Sequence, residues 1–257
     1  MTGPASPSDL LDLSGRVVIV TGAGGGVGTG IAGRLVAAGA TVVAHTRASP
    51  TDHLVDFDGS RVASVRTDLT SPDGPAFLVE STLDRFGRLD GLVNNAATQS
   101  VVPFDEVTDE VWSETIDVNV TVVHRLTRLA AGAMRAGEVG GSIVHIASIE
   151  AHHPTDVHGH YATSKAALIM HARAAALAYG GDGIRVNTIS PGLIARPGLE
   201  EDWPDGVERW RRAAPLTRLG TPEDVGDACV FLSSDLSRWI TGTDLIVDGG
   251  VLARPTW

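Results

Sequence analysis

Short apolar runs alternate with longer segments of helical period along the whole chain, and this constrains the fold more than any other feature. The runs lie at 16–20, 41–45, 62–67, 89–93, 142–147 and 184–190, with a last one in DLIVDGG. Near-continuous apolar strands belong to parallel sheets, which are covered on both faces. The segments between repeat apolar residues one helical turn apart, as Ile31, Leu35 and Val36 do. Ser71-Pro72 and Thr221-Pro222 put a capping hydroxyl before a first-turn proline, and Gly39 ends a helix. Two long helices are expected at 111–135 and 161–179. Right-handed crossovers then give an α/β fold, a doubly wound parallel sheet of about seven strands with helices on both faces. Apolar residues make up 43 % of the chain, enough for one large core. The expectation is a flexible leader at 1–14 and a single domain at 15–257.

In such folds ligands bind beyond the carboxyl ends of the strands. The turn TGAGGGVG (21–28), Asn94, Asn95, Ser148, Pro191 and Gly192 all fall just past strand ends. Gly22 permits the tight turn, Gly26 lets a pyrophosphate approach the backbone, and Gly28 lets the next helix pack close. The N–H groups of that helix then face the phosphates. A turn of this kind between strand and helix predicts dinucleotide binding. After the second strand an acidic residue selects the free ribose 2′-OH. Here Thr46 stands there and Arg47 follows, with Ser49 close by, which suits a 2′-phosphate and favours NADP(H) over NAD(H).

A net charge of −11 argues against nucleic acid or an anionic membrane as partner. The single cysteine, Cys229, permits no disulfide within the chain and reads as buried. No signal peptide and no run of membrane-spanning length is present, so a soluble, cytoplasmic setting is expected.

Tyr161 and Lys165 are one helical turn apart and share a face. An ammonium beside a phenol lowers the phenol's pKa towards the range where it exchanges protons with a substrate oxygen. With this pair the chain resembles the short-chain dehydrogenase/reductase family over essentially its whole length. The resemblance is carried by TGAGGGVG, Asp68-Leu69, NNAA (94–97), Asn119, Ser148, YATSK (161–165), Pro191-Gly192 and ITGTDLIVDGG (240–250). It implies a Rossmann-type fold and hydride transfer between NADP(H) and a small-molecule carbonyl or secondary alcohol. It implies Tyr161 as general acid/base and Lys165 as the group that lowers its pKa and binds the nicotinamide ribose. Ser148 would hold the substrate oxygen, and Asn119 a water linking Lys165 to solvent. Gly22, Gly26, Val27, Gly28, Thr46, Arg47, Asp68, Leu69, Asn95, Ala96, Pro191, Gly192 and Ile194 would line the cofactor, with Tyr161 and Lys165. A homotetramer is implied, with a dimer next, built on the two long helices and the C-terminal segment.

The chain departs from the family at three places. Gly25 stands where NADP users often carry a cation. Arg196 stands where a Thr often touches the carboxamide, leaving the backbone of Ile194 for that role. Glu138 and Asp182 stand where reductases of acyl-carrier proteins look basic, which favours a free small molecule. The histidines of 152–160 are spaced H-H-x4-H-x-H, which matches no zinc pattern, and the family needs no catalytic metal. They read as solvated loop residues or as substrate-pocket residues, with Glu150, His153 and His158 the candidates. Trp203 belongs to a substrate lid expected at about 195–215. Two other functions are open: an NAD-dependent alcohol or polyol dehydrogenase running oxidatively, and a catalytically idle nucleotide-binding sensor.

Overall fold

The computed structural model describes residues 6–48, 61–138 and 140–254. Seven strands form one sheet in the order β3-β2-β1-β4-β5-β6-β7. They are β1 Val17–Val20, β2 Thr41–Thr46, β3 Val62–Arg66, β4 Gly91–Asn94, β5 Gly141–Ile146, β6 Ile184–Pro191 and β7 Asp244–Val247. Every pairing is parallel. The order reverses between β1 and β4, the switch point at which such sheets open a crevice.

β1 shows why apolar runs were needed. Val18 and Val20 point into one core and Val17 and Ile19 into the other, and all four are buried. The first core lies under α2 (Gly26–Ala37) and α9 (Pro222–Ser233), with Ile31, Leu35, Val225, Cys229 and Leu232. The second lies under α3 (Gly74–Phe86), α5 (Val122–Ala136) and α6 (Gly159–Tyr179), with Leu78, Leu126, Met134 and Ala172. Each fully buried Leu or Ile contributes about 1.5–3 kcal/mol. α2 and α9 approach closely because Gly30 faces Pro222, where an added Cβ would stand 2.4 Å away. Thr221 caps α9 as expected, in a capping box with Asp224.

The described part of the expected leader, 6–14, contains α1 (Pro7–Leu11), capped by Ser6, and Leu13 is fully buried with its N–H on Ala38 O. Two expectations need correction. The helix expected at 111–135 is two helices, α4 (Asp109–Ile116) and α5, joined by a π turn at Asp117–Thr121. Ser71 does not cap α3, which starts at Gly74 because the 68–74 turn closes on Asp68 O, where a Cβ on Gly74 would stand 1.9 Å away. Ser71 Oγ still accepts from Gly74 N at 3.1 Å. The lid region contains α7 (Leu199–Asp202) and α8 (Pro204–Ala213). Among the described residues no helix is long and apolar enough to cross a membrane.

Candidate active site

The turn between β1 and α2 sits over the switch point. Gly22 has φ +65°, and a Cβ on Gly28 would lie 2.1 Å from Gly22 O, so both positions require glycine. A Cβ on Gly26 would meet nothing within 4 Å among the described residues. The N-cap of α2 is Gly25, which offers no side-chain bond to the first-turn N–H groups. Those donors and the open space above Gly26 suit a pyrophosphate. Val27 follows, half-buried against the core.

The segment just past β4 clamps the turn. Asn95 Nδ2 donates to Thr21 O at 2.9 Å and Gly22 O at 3.1 Å. Thr21 Oγ1 accepts from the N–H groups of Asn95 (2.9 Å) and Ala96 (3.0 Å). His45, which the sequence reading passed over, ties the turn to β3: Nδ1 accepts from Gly22 N at 3.4 Å and Nε2 donates to Thr67 O at 3.0 Å. Burial lowers its pKa, which keeps the acceptor nitrogen available. Thr46 is buried at the end of β2 and Arg47 is exposed beside it. Hydrogen bonds from the Thr70 hydroxyl and amide hold the Asp68 carboxyl below its ordinary range, and Arg47 lowers it a little further. Leu69 is buried. Ser49 lies outside the described residues.

Ser148, Tyr161 and Lys165 come together at the ends of β5 and α6. Ser148 caps a 3-10 turn, with its Oγ accepting from Glu150 N at 3.1 Å. Lys165 is 3 % exposed and donates from Nζ to Ile146 O at 2.7 Å, with Nζ 5.4 Å from the Tyr161 ring centroid. Burial pushes Lys165 down to about 7. Tyr161 is pushed up to about 12 by burial first and the Glu150 carboxylate second, while the Ser148 hydroxyl draws it partly back. The expected lowering of the phenol by the ammonium is therefore absent in this state, because desolvation removes much of the positive charge that would produce it. Asn119 lies in the π turn and is buried. Its Oδ1 accepts from Thr98 N at 2.9 Å, and its Nδ2 donates to Thr98 O and Ser164 Oγ, both at 3.0 Å.

The other expected residues scatter. Pro191 ends β6, and Gly192 N donates to Val247 O at 2.9 Å. Gly192 lies against the Trp210 ring. Ile194 bridges Gly220 through Leu193 O and Ala195 N, so its own N–H and C=O are not used in that bridge. Arg196 pairs with Asp202 at 2.8 Å. Trp203 packs on Gly206 under Arg209, 48 % exposed. The four loop histidines go separate ways: His152 to Asp244, His158 to Glu150, His160 to Ser100, and His153 to the surface. Among the described residues no group of His, Cys, Asp or Glu is arranged to hold a metal ion.

A polar chain also runs outward from β4. Asn94 Nδ2 donates to His145 Nδ1 (3.1 Å), His145 Nε2 to His171 Nδ1 (3.1 Å), and His171 Nε2 to His124 Nδ1 (3.2 Å). His145 is fully buried, and burial, His171 and Lys165 push it down to about 3.

A nucleotide cradle and a Ser–Tyr–Lys group on one sheet edge define a dinucleotide-dependent oxidoreductase class. The comparisons agree. A family model described as Enoyl-(Acyl carrier protein) reductase matches residues 22–252. A 2,5-dichloro-2,5-cyclohexadiene-1,4-diol dehydrogenase of Sphingobium indicum is 37 % identical over 95 % of this chain and 100 % of its own. A 3beta-hydroxysteroid dehydrogenase 1 of Eggerthella lenta is 35 % identical over 95 % and 96 %. The crystal structure of a gluconate 5-dehydrogenase from Burkholderia cenocepacia, in complex with NADP and tartrate, superposes with a TM-score of 0.89 at 26 % identity, covering 96 % and 99 %. The chain belongs to the short-chain dehydrogenase/reductase family and is an NAD(P)-dependent oxidoreductase. The idle-sensor reading falls away.

Proposed function

We propose that the protein transfers a hydride between NADP(H) and a small-molecule carbonyl or secondary alcohol, with Tyr161 as general acid/base. The observation that carries this is the cluster of Ser148, Tyr161 and Lys165 beside an open, side-chain-free phosphate turn. The bound nicotinamide supplies or accepts the hydride. The rest falls to the chain. Ser148 Oγ donates to the substrate oxygen and stabilises charge that develops there. Tyr161 gives its phenolic proton to that oxygen in reduction and removes it in oxidation. Lys165 holds the nicotinamide ribose and, once charged, lowers the phenol's pKa. Asn119 fastens the 98 loop to α6 through Thr98 and Ser164, which fixes the helix that carries Tyr161 and Lys165.

Arg47, exposed beside neutral Thr46, supports the 2′-phosphate and so NADP(H). Asp68 near Arg47 favours the second reading, an NAD-dependent alcohol or polyol dehydrogenase running oxidatively. Substrates named for the relatives, a cyclic diol and a hydroxysteroid, support a free small molecule. The charge argument against a carrier protein rests mainly on Glu138, because Asp182 is paired with Arg135 at 2.6 Å. Cytoplasmic placement and a homotetramer complete the proposal. Size-exclusion chromatography should show four 26.7 kDa chains, and a monomer would refute the assembly.

The test is calorimetric titration with NADPH and NADH, on wild type and Tyr161→Phe. NADPH should bind at least about tenfold tighter. The variant should keep that affinity and lose about 10²–10⁴-fold in kcat. Tighter NADH binding moves the assignment to the oxidative reading. Unchanged kcat removes Tyr161 from the chemistry.

A further inference from the structure

The loop between Ser148 and Tyr161 holds a carboxylate–imidazole pair that hydride transfer does not by itself require. Both carboxylate oxygens of Glu150 lie on His158 Nδ1, at 3.2 and 3.1 Å, closer than the amide nitrogen of Gln99 at 3.5 Å. Two carboxylate oxygens repel a nitrogen lone pair, so Nδ1 carries the hydrogen and donates it. Thr155 Oγ1 donates to the same carboxylate at 3.3 Å and steadies it. The two side chains are 16 % and 18 % exposed. A hydrogen on Nδ1 leaves neutral His158 with a lone pair at Nε2, in a ring whose tautomer and orientation the carboxylate fixes. Nε2 is buried and has no hydrogen-bond partner among the described residues. A buried acceptor without a donor is destabilising, and such atoms are rare unless a ligand or water meets them. The ring stands edge-on to Tyr161 with centroids 6.1 Å apart, so the unmet acceptor is carried by a ring that packs against the phenol ring of the proposed acid/base group. His160 Nδ1 is also buried and unmet, but its ring is 1 % exposed and bonded to Ser100 Oγ at 2.9 Å.

We propose that His158 Nε2 accepts a hydrogen bond from a second hydroxyl of the substrate, so that the enzyme selects diols, polyols and hydroxyketones with that hydroxyl close to the reacting carbon. The inference rests on the reading of Tyr161 as the acid/base group. His158 is then a specificity residue that touches substrate, and Glu150 is a positioning residue that keeps its outer nitrogen an acceptor. A mono-alcohol in the same place leaves Nε2 buried and unmet, and sites built in this way reject the analogue that lacks the hydroxyl. The carboxylate also bears on the phenol, since it helps to hold Tyr161 high.

The experiment compares kcat/KM for matched pairs, a 1,2-diol against the mono-alcohol of the same skeleton, cyclic and acyclic, with the full chain and both cofactors. Wild type should prefer the diol by about 10²-fold or more in at least one pair. His158→Phe should cut that ratio at least about tenfold. Glu150→Gln, whose amide can donate to Nδ1 and reverse the tautomer, should do the same, with cofactor affinity retained in both variants. A wild-type ratio near one in every pair that turns over overturns the proposal and leaves hydride transfer standing. Variants that lower diol and mono-alcohol alike also overturn it, because a structural role moves both. If a variant fails to fold, the wild-type ratio decides alone. No turnover of any alcohol, or of any matching ketone, defeats the hydride-transfer reading and this inference with it.

Discussion

Lys165 shows at the scale of one residue how a site and a stable core make opposite demands. Its Nζ is buried with Ile146 O as its recorded hydrogen-bond partner, and burial lowers its pKa from 10.5 to about 7. In the unfolded chain the amine stays protonated up to 10.5, whereas in the folded chain it is neutral above about 7. Between those values folding releases a proton, so the burden on stability is full at and below about pH 7 and shrinks as pH rises towards 10.5. Lys165→Met should therefore stabilise the cofactor-free protein by about 1–3 kcal/mol at pH 7. The gain should be smaller at pH 9. Urea melts at the two pH values check this. A variant less stable than wild type at pH 7 would mean that the amine is better solvated than its surroundings indicate. On the proposed mechanism the same variant should also lose activity, since it would lack the ammonium assigned to the ribose and to Tyr161.

Elements were more legible than their joints. Each expected strand appears within about two residues, because a run such as Val17–Val20 must be buried on both faces and only a central parallel strand offers that. Thr221-Pro222 marked a helix start for a local reason, a capping box, and local reasons can be read from sequence. The π turn at Asp117–Thr121 could not be read, because helical period continues through it and the bonds of Asn119 to Thr98 and Ser164 come from distant segments. The bond between Leu13 N and Ala38 O is another long-range fact. That Ser148, Tyr161 and Lys165 lie close together was legible by motif, but the raised phenol was not, since it follows from how deeply the fold buries the group. Close helix packing is a similar tertiary fact and gives an element-scale prediction. Gly30→Ala puts a methyl 2.4 Å from Pro222 and must push α2 from α9. It should cost about 1–3 kcal/mol. Because α2 also carries the proposed phosphate turn at its N-terminus, affinity for the nicotinamide cofactor should fall as well. A calorimetric titration and a thermal melt of the variant check both, and an unchanged melt would show that the two helices yield without cost.

At the scale of the whole molecule, acid stability should be governed from inside the sheet. His145, His171 and His124 lie far apart in sequence, on β5, α6 and α5, and the fold threads them on one line of hydrogen bonds ending at Asn94. Nothing in the sequence spacing announces that line. Its inner member is fully buried in the central sheet and its pKa falls from 6.5 to about 3, while His171 is lowered too, by burial and by His124. Below pH 6.5 the unfolded chain binds a proton at His145 that the folded chain refuses until about pH 3. The unfolded state then holds more protons, so stability is fully present above pH 6.5 and is lost as pH falls through that window. By pH 5 this one group should remove about 2 kcal/mol. Denaturant unfolding at pH 7 and pH 5 measures the loss. His145→Gln, which cannot titrate, should be less stable at pH 7 because it breaks the chain of bonds, yet show a flatter dependence on pH. If variant and wild type lose stability in parallel, the acid sensitivity arises from groups other than this imidazole.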